Sequence, residues 1–273
     1  MSAAQENTGS NIIASGQNSS YLNNGSNVVA LGQNTAIENK GDFVNAFGEG
    51  AARDNSGSNV IAIGQGAALE NEGSYTVTGG YYAGYRNKGE SIIAFGFEAA
   101  KDNTGASIIA IGQASAHENS GNSTVALGSS SANMNSGESV IGIGNSAASE
   151  NSGHYVTALG DNAAFDNEGG NVVATGYNAG YENEGSNVVA IGRNSGRNNT
   201  GSEVLAFGRH AGWDGTNGNQ LSNVTIFSND VLPEFVNREY ALTAITIANG
   251  AVSGNTYLYY NIFTRTIEAV RIP

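Results

Sequence analysis

A glycine recurs every sixteen residues from Gly9 to Gly201 with no insertion or deletion, marking thirteen units over 9–216. A second glycine follows seven residues after each, Gly16 to Gly208, and an asparagine stands two residues before each, Asn7 to Asn199. A short fixed period without indels requires each unit to stack on the last at a constant offset, which makes a solenoid. Between its two glycines a typical unit reads NVVAIG (187–192) or NVIAIG (59–64). Four β-prone residues bounded by glycine predict a strand, since no 3.6-residue period is present and a helix that short is unstable. The second half of the unit runs Ala-Ala or Ala-Gly, a variable residue, an acid and Asn. It is expected to form a second short strand that returns the chain, so each unit is one coil of two strands and two turns.

The glycines are expected at corners that need positive φ, where a Cβ would clash. The asparagine either closes an Asx-type turn or stacks its amide on the copies above and below. Proline is absent from 9–216, as a stack requires when nearly every backbone N–H donates to a neighbouring coil. At ~4.8 Å per rung, thirteen coils make a shaft about 60 Å long.

Both faces of the predicted strand are apolar. One carries Val188, Ala190 and their equivalents, with alanine at the second of these positions in eleven of thirteen units. Such small residues suit the inside of a thin roll. The opposite face carries larger side chains: Val29 and Leu31, Ile61 and Ile63, Ile93 and Phe95, Ile109 and Ile111, Ile141 and Ile143, Val189 and Ile191, Leu205 and Phe207. A stripe of this length exceeds what a monomer leaves in water, so these residues are expected to form an interface between copies of the chain, packed in parallel about the long axis.

The NVVAIG and NVIAIG units, each followed by paired small residues, resemble the head repeats of trimeric autotransporter adhesins. Similar AIG-x-x-A-G runs occur in phage tail-fibre proteins. The resemblance covers 9–216 and implies a left-handed parallel β-roll and a homotrimer, whereas the stripe by itself implies only association. The period here is sixteen against the usual fourteen of the adhesin heads, and no coiled-coil stalk or membrane anchor follows the repeats.

Ala3-Ala4-Gln5-Glu6-Asn7 matches the second half of a unit, so the chain starts in mid-coil and is expected to be the C-terminal piece of a longer protein. After Trp213 the period stops, and Asn217-Gly218-Asn219 reads as a linker between the shaft (1–216) and a small C-terminal antiparallel β cap (217–273). In the cap, NVTIF (223–227), YALTAITI (240–247), TYLYY (256–260) and TIEAVRI (266–272) alternate as strands do. It presents aromatics including Phe227, Phe235, Tyr257, Tyr259, Tyr260 and Phe263. A core of about fifty residues is marginal alone, so the cap is also expected to form as an oligomer.

Signs of chemistry are sparse. The chain has no cysteine, which removes disulfides, thiolate ligands and thiol nucleophiles. Its net charge of −13 opposes nucleic acid and anionic lipid as partners. No apolar run approaches the ~18–20 residues of a membrane-spanning helix, and Met1–Thr8 lacks the features of a signal peptide. His117, His154 and His210 occupy three different repeat positions, so stacking cannot gather them as ligands. Gly48-Glu49-Gly50 and Gly64-Gln65-Gly66 lack the strand-to-helix context of a dinucleotide site.

Glu38, Asp54, Glu70, Asp102, Glu118, Glu150, Asp166, Glu182 and Asp214 share one repeat position. Such a ladder could hold calcium or act as an acid/base pair, but Leu22, Arg86, Met134 and Asn198 interrupt it, and a solvated face is the expected reading. The preceding position varies most, from Tyr21 and Arg53 to Phe165 and Trp213, and is expected to face outward. One unit, GSYTVTGGYYAGYRNK (73–88), loses its large strand residue to Gly79 and gains Tyr75, Tyr81, Tyr82 and Tyr85. Tyrosines can stack on sugars or anchor a protein, but the simpler expectation is that these fill the space left by Gly79.

These features predict an all-β protein with no catalytic residue, metal or cofactor: a homotrimeric parallel β-solenoid with a C-terminal cap. The expected function is structural and receptor-binding, as the distal part of a phage tail fibre or related injection-device fibre, located on a virion or cell surface. Its partners would be itself and a host-surface glycan or protein, met through Trp213, Tyr81, Tyr82, Tyr85, Tyr257, Tyr259, Tyr260 and Phe263. The head of a bacterial adhesin is the alternative, and a polysaccharide-degrading tailspike a third reading that would need a paired-carboxylate cleft.

Overall fold

The computed structural model describes residues 3–213, 215–220, 222–227, 256–261 and 266–271. Strand β1 is Ile12–Ser15 and β2 is Val28–Leu31, and a four-residue strand recurs every sixteen residues up to β12 (Val188–Ile191) and β13 (Val204–Phe207). All pair parallel and in register, as Val188 does with Val204 and Ala190 with Ala206. Identical positions therefore stack into columns along a parallel solenoid.

The stack runs one rung beyond the repeat. Val224–Phe227, read from sequence as a strand of the antiparallel C-terminal cap, is instead β14 and pairs parallel with β13, Val204 opposite Val224. The intervening coil is four residues longer, and Asn219 takes the column place that the sixteen-residue period would assign to residue 215. Its amide donates to Asn199 Oδ1 at 2.9 Å, and its carbonyl accepts from the Thr200 amide at 2.9 Å. Farther on, β15 (Thr256–Asn261) and β16 (Thr266–Arg271) form an antiparallel pair with Tyr257 opposite Val270 and Tyr259 opposite Glu268. The expected strand at 240–247 lies outside the described residues.

The return half of each coil is not a second strand. It is a run of turns in which alternate residues are left-handed, as at Asn34 (φ 56°), Ala36 (φ 48°) and Glu38 (φ 52°). In this run the N–H groups of every second residue point by turns back and forward along the stack. Asn34 and Glu38 donate back to Gln17 and Tyr21, while Ala36 and Lys40 donate forward to Ala51 and Asn55, all at 2.8–2.9 Å. The backbone thus stays hydrogen-bonded between coils without extended geometry, which satisfies the requirement on buried backbone groups by another route. Each non-glycine residue held there costs roughly 1 kcal/mol or more.

The core is the space between the strand wall and this turn wall. Val28, Val60, Ile108 and Val172 fill it from the first strand position, Ala30 and Ala62 from the third, and Ala51, Ala52, Ala67 and Ala68 from the turns, all buried. Where serine replaces the first turn alanine its hydroxyl is satisfied inside: Ser19, Ser115 and Ser195 donate to the carbonyls of Ala30, Ala126 and Ala206 at 2.7–2.8 Å, whereas Ser20, in the place of the second, is buried without a partner.

The two sets of glycines serve different ends. Gly32 has φ 141° and meets the positive-φ expectation. Gly41 has no positive φ. A Cβ there would overlap the carbonyl of Gly57 and lie 2.8 Å from Asn55 Nδ2, so close approach between coils excludes a side chain.

Candidate functional site

Two surfaces depart from what a solenoid needs for its own stability. The first is the outer face of the strands. Leu31, Ile61, Ile63, Ile93, Phe95, Ile109, Ile111, Ile141, Ile143, Ile191 and Leu205 are all exposed large apolar residues, with Ile63 at 49%. Val29, Val189 and Phe207 on the same face are partly exposed. The sequence-based division into a small inner face and a large outer face is thus found along the shaft. Thirteen rungs of four residues span about 60 Å by 13 Å, on the order of 800 Å². That is well above the few hundred Å² of an ordinary monomer patch, and it matches the ~800 Å² that each partner contributes to a standard interface. Asn45, Thr157 and Thr175 are its polar interruptions among the middle rungs. Phe43, Tyr75 and Tyr155, two residues past the first glycine of their units, are exposed beside the strand starts and extend the apolar surface sideways. Their column otherwise reads as asparagine, serine and, at its end, Glu203, so no periodic signal marked them.

The second surface lies on the turn wall, across the core from the strands, around unit 73–88. The tyrosines there do not fill the space left by Gly79. Phe95, one coil on, does so: a Cβ on Gly79 would lie 2.5 Å from Phe95 Cδ1. Tyr81 is left exposed and stacked on Phe97, with centroids 5.2 Å apart and planes 11° from parallel. Tyr82 meets Tyr81 edge-on at 4.5 Å and Tyr85 at 5.2 Å. The Tyr82 ring lies over Gly66 of the preceding coil, where a Cβ would approach its edge to 2.8 Å. Tyr82 and Tyr85 then line a concavity of about 320 Å³ with Arg53, Leu69, Glu70, Glu98 and Lys101. Phe97 was missed, although Tyr81 one coil earlier in the same column is the signal that could have found it.

The position before the acid is less outward than expected. Its residues are mostly half-buried, and Leu69 and Ser149 are buried. Near the end of the shaft this column forms a stack. Phe165 lies parallel on Tyr181 at 5.2 Å, and the Arg197 guanidinium sits between Tyr181 (4.7 Å) and Trp213 (5.0 Å). Burial, with Glu182 beside it, raises the Tyr181 phenol above its ordinary pKa. Trp213 is thereby placed as the last member of a packed column, far along the chain from Tyr81, Tyr82 and Tyr85.

Two of the four residues that interrupt the acidic ladder, Arg86 and Asn198, bond to it. Arg86 pairs with Asp102 through Nε to Oδ1 at 2.7 Å, and chiefly this carboxylate raises the guanidinium pKa. Asn198 donates to Glu182 at 2.6 Å. Asp166, Glu168, Glu182 and Glu184 line a concavity of about 410 Å³ with Asn198 and Thr200. Among the described residues, no three His, Asp or Glu side chains are grouped closely enough to hold a metal ion, and no helix could cross a membrane. Tyr257, Tyr259 and Tyr260 lie on β15, while Phe263, Phe235 and Asp214 lie outside the described residues.

Comparison of the chain with family models, with curated proteins and with solved structures finds no match.

Proposed function

We propose that the chain is the shaft and terminal part of a trimeric, non-enzymatic fibre, of the kind that forms the distal portion of a phage tail fibre or related injection-device fibre. Its outer strand faces would pack together along the axis. The segment after the shaft would contact a glycan or protein on the host surface. The observation that carries this reading is the exposed, predominantly apolar outer face that runs along the in-register stack from β1 to β13. A stack of that kind transmits length and stiffness, and its apolar face supplies the contact by which copies align. The NVVAIG-type units, through their resemblance to adhesin heads and tail-fibre repeats, support three as the number of copies. In a binding assay on a panel of bacterial strains, the purified full chain saturates at least one strain. The variant Tyr257→Ala/Tyr259→Ala/Tyr260→Ala binds that strain at least tenfold more weakly while remaining oligomeric. Binding to no strain, or equal binding by the triple variant, contradicts the reading.

A further inference from the structure

The concavity on the turn wall at unit 73–88 gathers aromatic and charged side chains at the solvent boundary, with the Arg86 guanidinium 4.7 Å over the Tyr85 ring. The gap at Gly79 is closed by Phe95, so the neighbouring tyrosines do not fill it. Tyr82 is seated on Gly66, and the ring contacts among Tyr81, Tyr82, Tyr85 and Phe97 fix aromatic surfaces at the solvent boundary. Beside them stand two cations and two carboxylates, Arg53, Lys101, Glu70 and Glu98. Lys101 Nζ is 2.9 Å from Glu98 Oε1. Arg53 Nε is buried without a hydrogen bond and has only a 3.4 Å ion pair with Asp54.

We propose that this concavity is a saccharide-binding subsite that takes a neutral hexopyranose. The chemistry follows from the lining. A pyranose presents an apolar C–H face that stacks on an aromatic ring, and a rim of hydroxyls that both donate and accept. Carboxylates accept from those hydroxyls, while guanidinium and ammonium groups donate to them. The charges of Arg53 and Lys101 balance those of Glu70 and Glu98, so the site selects for neither an anion nor a cation. Its volume of about 320 Å³ lies at the small end of ligand pockets, which fits one or two sugar rings and not a protein surface. The subsite lies across the core from the strand face, so it stays open when strand faces pack together. It adds a site to the terminal one proposed above and does not depend on it.

The test is saturation-transfer NMR on the full chain with methyl glucoside, galactoside and mannoside as probes and sialic acid as the anionic comparison. Other coils carry alanine at the Tyr82 position (Ala114) and serine at the Tyr85 position (Ser149), so Tyr82→Ala and Tyr85→Ser place tolerated residues on the same backbone. The expected result is transfer to at least one neutral hexoside, stronger than to sialic acid. Each variant weakens it at least tenfold, and Tyr177→Ala, at an exposed tyrosine elsewhere on the shaft, leaves it unchanged. Transfer to no hexoside by the unaltered chain overturns the proposal, as does equal transfer by the Tyr82 and Tyr85 variants. Because sedimentation reports the oligomer separately, loss of this site and failure of the fibre reading are told apart.

Discussion

At the residue scale, the asparagine column couples the coils most specifically. From Asn39 to Asn199 each buried amide donates to the preceding asparagine Oδ1 and to the carbonyl of the glycine two residues on, as Asn119 does to Asn103 at 2.9 Å and to Gly121 at 2.8 Å. Asn119→Ala leaves a buried carbonyl and a neighbouring amide without their partners and is expected to cost about 1–3 kcal/mol. Denaturant unfolding checks this, with the exposed Ser120→Ala expected within about 0.5 kcal/mol of the parent. The glycines separate two physical causes. Gly41→Ala forces coils apart against backbone and should cost about 1–3 kcal/mol or more. Gly50→Ala meets open space at φ 65° and should cost only about 1–2 kcal/mol of left-handed strain. Of the two roles the sequence offered the asparagine, the structure shows the stacked amide; the local bond runs from Nδ2 to the carbonyl two residues on, opposite in direction to an Asx turn, in which Oδ1 accepts. The role of Gly41 was not legible, because close approach between coils and positive φ both appear in a sequence as an invariant glycine.

At the element scale, the strand was readable because alternation on a pleat sorts Val188 and Ala190 inward and Val189 and Ile191 outward. The return segment was misread because a left-handed alanine such as Ala36 carries no compositional mark. Its pairing is decided by coils sixteen residues away and not by local propensity. Phe95 covering Gly79 is likewise an inter-coil contact, hidden from any reading confined to one unit. The two sides of the strand should respond differently to substitution. Ile108→Ala opens a cavity in a thin core and is expected to cost about 2–5 kcal/mol, measured by denaturant unfolding. Ile109→Lys and Ile141→Lys, one column over, are expected to leave the circular dichroism spectrum unchanged while weakening association.

At the scale of the whole molecule, one offset governs every rung from β1 to β13, so a complete unit is removable. Deletion of Gly105–Ser120 brings Asn103 to Asn135 and Ala94 to Ala126 in the original register. The shortened chain is expected to fold and associate as before, with a shaft about 4.8 Å shorter by small-angle scattering. Removing only 105–112 destroys that register and is expected to leave insoluble chain. The fourteenth rung was hidden from sequence because its coil is four residues longer than the period, and the ladder partner of Asn199 is therefore displaced to Asn219. The association of copies through the outer strand face is the claim on which the fibre reading stands, and sedimentation equilibrium at micromolar concentration tests it directly. The account predicts a species of about 84 kDa, three times the 27.9 kDa chain, that dissociates in the Ile109→Lys/Ile141→Lys variant. A stable, soluble monomer of the unaltered chain would contradict it.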